Sequence, residues 1–290
     1  MEIRDTRLHV MEAGDPAAPA LLFVHGGPGQ GAYDFFHHQR ELLSEDIRLV
    51  GVDHRGSLFS DPLREGELVS ETETVGDLEA VREALGIDRW AVLGHSFGTR
   101  MALRYAVQHP EQTTAALFEN PVWDHDRSSI DQIEATLTIQ ERMDIDTAAA
   151  KALLAQPEPI TSDQRLSVVG TLGEAEMVLW FHAPERLSGN PFASMGLTPD
   201  ILERSQGPSM QLLRHEQLAQ PLTSLLTELS VPSLLLLGLY DCVTDDDTME
   251  LFHARVDLGE VAWFEESGHF CHMEEPQAYA DVVREFVARA

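Results

Sequence analysis

The sequence predicts an α/β fold: a mostly parallel central sheet flanked by helices, with a block of helices inserted into it. Three observations carry this. Short continuous apolar runs such as Ala20–Val24, Ala91–Leu93 and Leu234–Leu237 suit strands buried on both faces of a parallel sheet. Segments of helical spacing separate such runs as far as Pro121, the alternation that builds parallel sheets with right-handed crossovers. From about His125 to Leu226 the alternation stops and only helical patterns remain. The expected division is a core domain of residues 1–124 and 227–290, and a helical cap domain of residues 125–226.

Taken in order, Arg7–Glu12 alternates as a strand and turns at Gly14-Asp15-Pro16. Ala20–Val24 is the first buried strand, and it runs straight into His25-Gly26-Gly27-Pro28-Gly29. Tyr33–Leu43 reads as a helix and Ile47–Val52 as the next strand, ending in Asp53-His54-Arg55-Gly56-Ser57-Leu58-Phe59-Ser60. Thr72–Leu85 carries Val75, Leu78, Val81 and Leu85 at helical spacing, and Gly86 stops it. Ala91–Leu93 leads into Gly94-His95-Ser96-Phe97-Gly98 and a helix to Gln108, after which Thr114–Phe118 is a strand. Within the insertion, helices are expected at Ile130–Met143, Thr147–Ala155, Gly173–Phe181 and Met210–Leu218, with breaks at Pro157-Glu158-Pro159 and Gly189-Asn190-Pro191. Val231–Gly238 and Glu260–Phe264 complete the sheet, and Pro276–Ala288 closes the chain as a helix.

The 290 residues suffice for one α/β domain with an insertion, and 43% hydrophobic residues supply a large core. Against 49 acidic residues stand only 20 basic ones, a formal charge of −29. Such a balance argues against nucleic acid and anionic membrane surfaces, which need basic patches, and a negative field favours cationic groups such as a free amino terminus. Two cysteines, Cys242 and Cys271, make no disulfide framework, so a reducing compartment is expected. With no run resembling a signal peptide or membrane span, the expectation is a soluble cytoplasmic protein. No spacing of His, Cys or Asp suggests a metal and no Gly-x-Gly-x-x-Gly suggests a nucleotide, so no cofactor is expected. The oligomeric state is left open.

Chemistry is concentrated at the strand ends. Gly-x-Ser-x-Gly between a buried strand and a helix is a nucleophile elbow, which holds Ser96 at a strained tip. The glycine-rich loop after Val24 can offer a backbone N–H to the oxyanion of acyl transfer, a role that falls to Gly27, with the N–H of Phe97 as second donor. A serine nucleophile needs a base and a carboxylate that orients it, here in the chain order Ser, Asp, His. Asp241 and His269 both follow apolar strands and complete the set with Ser96. His272 rivals His269 but lacks its preceding Ser-Gly turn. Asp245, Asp246 and Asp247 suit a helix N-terminus, and His25 and His95 are read as structural.

These motifs resemble the α/β-hydrolase superfamily over essentially the whole chain, and within it the proline iminopeptidase branch. His25-Gly26-Gly27-Pro28-Gly29 matches that branch's oxyanion loop. Asp53–Ser60 is similar to its Asp-Gln-Arg-Gly-x-Gly-x-Ser segment, with Leu58 in place of the second glycine, and Gly238–Val243 to its Gly-x-Tyr-Asp-x-Val. The elbow differs from the branch's usual Gly-Gly-Ser-Trp-Gly and matches a form common among esterases. The resemblance implies cleavage of a small peptide or amino-acid amide at a free N-terminus, with cap glutamates gripping the amine. Glu216, within Arg214-His215-Glu216-Gln217, is the first candidate for that role and Glu185 the second. The alternative is an esterase or lactonase acting on a small ester. A non-catalytic ligand receptor on the same scaffold is a third reading. Epoxide hydrolases and dehalogenases of this fold place Asp where Ser96 stands.

Overall fold

The computed structural model describes residues 1–186, 196–244 and 247–290. A short hairpin of β1 (Glu2–Ile3) and β2 (Thr6–Arg7) precedes the sheet proper. The sheet is built from β3 (Val10–Ala13), β4 (Ala20–Val24), β5 (Arg48–Val52), β6 (Trp90–His95), β7 (Thr113–Glu119), β8 (Ser233–Gly238) and β9 (Gly259–Phe264). Their order is β3-β5-β4-β6-β7-β8-β9; only β3 runs antiparallel. The single strand expected over Arg7–Glu12 is thus two. Leu8 still pairs with the hairpin, its N–H donating to the Met1 carbonyl at 2.9 Å and its carbonyl accepting from the Met1 amine at 2.7 Å, and β3 begins only at Val10.

The period-two geometry of strands sorts their side chains onto the two faces. Leu22, Val24, Val92, Phe118 and Leu235 point to one face, where they meet α2 (Glu71–Ala84), α3 (Gly98–Gln108) and Phe252 of α9 (Thr248–Arg255). Leu21, Phe23, Leu93, Leu117 and Leu236 point to the other, covered by α1 (Tyr33–Leu43) and, beyond a short α10 (Cys271–Glu274), α11 (Pro276–Arg289). Tyr279, Val283 and Phe286 of α11 are buried there as the spacing predicts. Every apolar run read as a two-face-buried strand is therefore covered by helices on both sides.

Between β7 and β8 the described residues contain helices and no strand: α4 (His125–Arg142), α5 (Ala148–Ala155), α6 (Ser162–Val169), α7 (Met177–Trp180) and α8 (Pro199–Arg214). They build small cores of their own, one from Ile133, Ala150, Ile160 and Val168, another from Ile139, Val169, Leu172 and Leu179. Two helices differ from expectation. Gly173 takes φ +55° and kinks the chain, so Gly170–Glu176 is 3₁₀ turns on either side of it and only Met177–Trp180 continues as α-helix. The helix expected at Met210–Leu218 instead starts at Pro199, behind the Thr198 cap, and ends at Arg214. Gly207-Pro208 does not interrupt it, because Pro208 is buried within α8, beside the loop at Gly56.

The expected boundary at 226/227 falls inside a 3₁₀ segment, Thr223–Glu228. Gly189-Asn190-Pro191, Asp245 and Asp246 lie outside the described residues. Among those residues no helix is long and apolar enough to cross a membrane.

Candidate active site

β6 ends at His95 and α3 begins at Gly98, so the chain must reverse within two residues. Ser96 takes φ +52°, a left-handed conformation that costs a non-glycine residue of order 1 kcal/mol or more. Its N–H donates to the Glu119 carbonyl at 2.9 Å, and its own carbonyl accepts from the N–H and hydroxyl of Thr99. The turn is possible only because neighbours are small. A Cβ on Gly98 would collide with the Val24 carbonyl, and one on Gly26 would lie 2.9 Å from the Ser96 Cβ. Gly26 is thus the glycine pressed against the elbow, a role the sequence did not single out.

The loop after β4 carries Gly27 at φ +108°, beside a cis Gly27–Pro28 peptide. Two stacked imidazoles, His25 and His54 at 3.7 Å, lie beneath it. His25 accepts the His54 N–H at Nε2, so its Nδ1–H donates to the Gly26 carbonyl at 3.0 Å. Burial lowers both their pKa values and favours neutral rings. No hydrogen bond among the described residues consumes the N–H of Gly27 or of Phe97. Phe97 stands immediately before α3, where helix N–H groups converge on developing negative charge.

Asp241 and His269 follow β8 and β9, on the sheet edge that also carries Ser96. Asp241 Oδ1 lies 2.9 Å from His269 Nδ1, and both side chains are nearly wholly buried. Burial alone would push the Asp241 carboxyl up. The His269 charge and hydrogen bond, with the N–H groups of Thr244 and Val243, outweigh it and hold Asp241 below its ordinary value. Among the described residues the Ser96 hydroxyl makes no hydrogen bond to His269. What ties the two loops together is the neighbour of Ser96: His95 Nε2 lies 3.0 Å from the His269 carbonyl, the rings 4.9 Å apart. The cap reaches the same place. The Trp180 carbonyl accepts the His269 N–H at 2.8 Å, and the Trp180 ring stands 5.6 Å from the imidazole. Glu274 clamps this junction, accepting from Gly268 at 2.7 Å and His182 at 2.8 Å.

His272, the rival base, is turned away from the serine. It is fully buried and paired with Glu119, 2.9 Å from its Nδ1. His95, Glu119 and His272 bring their ligand atoms within 4.8 Å of one another, a grouping no sequence spacing announced. Glu119 already accepts from the ring and backbone N–H of His272 and from the Tyr279 hydroxyl. Those donors commit the Glu119 carboxylate to protons rather than to a cation, while His95 Nδ1 and His272 Nε2 are buried without a hydrogen-bond partner among the described residues.

The two cap glutamates fare differently. Glu216 is exposed just beyond α8, and Glu185 is exposed in the 3₁₀ turn Pro184–Arg186. Among the described residues no hydrogen bond or ion pair joins either to Ser96, Asp241 or His269. Sequence reasoning passed over a nearer acid. Glu176 is partly buried and accepts from the Trp180 indole at 3.1 Å, beside His269. No motif marked it: its i, i+4 spacing to Trp180 is local, and the fold brings that turn to His269.

Arg55 does not reach outward. It donates to Asp77 at 2.8 and 2.9 Å, to Glu67 at 2.6 Å and to Asp5 at 2.7 Å. Leu58, standing where the branch has glycine, takes φ +42° and so keeps the left-handed backbone. Its N–H donates to Ser205 Oγ of α8 at 2.8 Å, and Arg204 binds its carbonyl. Cys242 and Cys271 are free thiols.

The sequence pattern defining the α/β hydrolase fold matches residues 19–276. The chain belongs to the α/β hydrolase fold family. It is 40% identical over 110 residues to a proline iminopeptidase of Xylella fastidiosa, which covers 37% of this chain and about a third (34%) of that one. A proline iminopeptidase of Heyndrickxia coagulans is 25% identical over 272 residues, covering 92% and 90% of the two chains. The crystal structure of a proline iminopeptidase-related protein from Thermus thermophilus superposes with TM-score 0.78 at 24% identity, covering 99% and 95%. That last likeness shows the shared fold.

Proposed function

We propose that this chain is a serine hydrolase acting on a small peptide or amino-acid amide with a free amino terminus. The observation that carries the reading is the buried Asp241–His269 hydrogen bond at 2.9 Å, on the sheet edge where Ser96 sits at φ +52°. In this reading Ser96 Oγ attacks the carbonyl carbon and His269 Nε2 takes its proton. Asp241 keeps the Nδ1–H tautomer and stabilises the imidazolium. The N–H groups of Gly27 and Phe97 receive the oxyanion, each worth roughly 3 kcal/mol in such sites. His269 then protonates the leaving amine, and water repeats the sequence on the acyl-enzyme. Residues 125–226 act as the cap over this edge and residues 1–124 and 227–290 as the core.

The free-amine preference rests on the likeness to proline iminopeptidases and on the net charge of −29. Within the cap we assign the amine to Glu176 ahead of Glu216 and Glu185, because it is partly buried and contacts Trp180. Two chromogenic substrates, proline p-nitroanilide and p-nitrophenyl acetate, test the reading on wild type, Ser96→Ala, Glu176→Gln and Glu216→Ala. Anilide turnover that vanishes with Ser96 and weakens with Glu176 is expected. Ester cleavage alone, lost with Ser96, would keep the machinery and make the protein an esterase or lactonase. Activity indifferent to Ser96→Ala would remove Ser96 as nucleophile.

A further inference from the structure

Arg55, Arg100 and Arg165 are all buried, at 4%, 0% and 6% exposure. Two of them are neutralised. Arg55 faces three carboxylates, and Arg100 meets Glu71 at 2.5 Å and the carbonyls of Trp123 and Gln217. Arg165, on α6, is different. Among the described residues no carboxylate lies within ion-pair distance, and its one hydrogen bond runs from Nη1 to Gln132 Oε1 at 2.7 Å. Its Nε is buried without an acceptor. Burial pulls its pKa down to about 10, with Glu176 the charge that opposes this from beyond contact. A buried guanidinium with one neutral partner is costly to keep. Shortage of acids does not explain it in a chain with 49 of them.

Its place in the fold is close to the proposed chemistry. Gln132 donates to Ser128 Oγ at 3.4 Å, Ser128 Oγ donates to the Val243 carbonyl at 2.7 Å, and the Val243 N–H donates to Asp241 Oδ1 at 3.0 Å. A continuous hydrogen-bonded walk thus joins Arg165 to Asp241. On its other side Glu176 holds the Trp180 indole, whose ring faces His269. Ser129, one turn from Gln132 on the same face of α4, is fully buried with its hydroxyl unpartnered.

We infer that Arg165, with Gln132 beside it, is a subsite for a carboxylate of the substrate. The inference rests on the hydrolase reading and adds a class to it: substrates bearing an anionic group away from the scissile bond. A guanidinium suits this because its remaining N–H groups match a carboxylate two to two.

The test compares p-nitrophenyl hemisuccinate with p-nitrophenyl butyrate on wild type, Arg165→Met and Arg165→Lys. The ratio of kcat/KM for the anionic over the neutral ester is expected to fall about tenfold or more in Arg165→Met, chiefly through KM, and to recover in part in Arg165→Lys. A ratio unchanged by Arg165→Met, or already below one in wild type, would overturn the subsite. Melting separates a structural role. Removing a buried cation that has no carboxylate partner should leave the melting temperature equal or higher. A melting temperature several degrees lower would make Arg165 scaffold and overturn the proposal. If wild type cleaves neither ester nor proline p-nitroanilide, the hydrolase reading is what fails; if it cleaves the anilide alone, that reading stands. Calorimetry with succinate then decides the subsite: binding to wild type that Arg165→Met abolishes sustains it, and no binding to wild type ends it.

Discussion

The Asn120 carboxamide donates to the His269 carbonyl at 2.9 Å while its oxygen accepts the Gly238 N–H at 3.0 Å. Asn120 immediately follows β7, the strand between those of Ser96 and Asp241, and takes φ +43°. One side chain therefore holds the loops of the proposed acid and base in register. Its Nδ2 also reaches the Gly268 carbonyl at 3.1 Å. Asn120→Gly keeps the left-handed backbone and removes these bonds, whereas Asn120→Ala adds strain as well. Leaving the buried Gly238 N–H unpaired costs about 1–3 kcal/mol. We expect kcat to fall more than KM changes in both variants, with Asn120→Ala melting lower. Unchanged kcat in Asn120→Gly would reduce Asn120 to a packing role.

Arg55 pins the loop of residues 53–60 to α2 through Asp77, whose side chain is 4% exposed. Arg55→Met leaves that carboxylate buried without its main partner, a loss of about 3–5 kcal/mol in comparable pairs. Arg4 also reaches Asp77 at 3.1 Å but is 40% exposed, so it offsets only part. Thermal or denaturant unfolding should place the variant toward the lower end of that range. If stability is retained and only KM rises, Arg55 is a substrate ligand instead.

The Glu119–His272 pair makes stability depend on pH at both ends. Burial would raise the Glu119 pKa, but the His272 and His95 charges and the His272 hydrogen bonds bring it down to about 2 from 4.5. A depressed carboxyl stabilises fully above its unfolded value, and that contribution is lost as pH falls from 4.5 toward 2. His272 has a raised pKa: burial opposes the charged form, and Glu119 more than compensates. Its contribution is full below 6.5 and fades as pH climbs through the raised value. Melting temperature should therefore decline on both flanks of a plateau between roughly 4.5 and 6.5. Glu119→Gln should flatten the acid limb by about 2–3 kcal/mol. An acid limb of the same depth in that variant would assign it to other carboxyls.

Gly26 abuts the elbow so closely that one methyl group matters. In Gly26→Ala the new Cβ would sit 2.9 Å from the Ser96 Cβ and 3.0 Å from the His95 carbonyl oxygen. Relieving these contacts must move the reacting serine, and a misplacement of about 1 Å there costs about 100-fold in rate. The expected outcome is a kcat lower by about that factor in a protein that still folds. Wild-type turnover by Gly26→Ala would show that the elbow tolerates displacement.

Local pattern placed most strands and helices in order, because burial on a sheet face or helix stripe leaves its period in the chain, though it merged β2 with β3 and left α6 unmarked. It placed Ser96, Asp241 and His269 at the ends of β6, β8 and β9 for the same reason. It misjudged α8 and the segment at Gly173, where one proline or glycine is compatible with more than one local conformation and packing selects between them. What tertiary structure decided were partnerships. Two histidines three residues apart received opposite fates, His269 beside Asp241 and His272 beside Glu119. Arg55 was saturated by acids from three segments while Arg165 meets none among the described residues, and Trp180, with Glu176 one turn before it, came to lie beside His269. Those outcomes depend on which groups share a desolvated space, and strands far apart in the chain share it only once the sheet has formed.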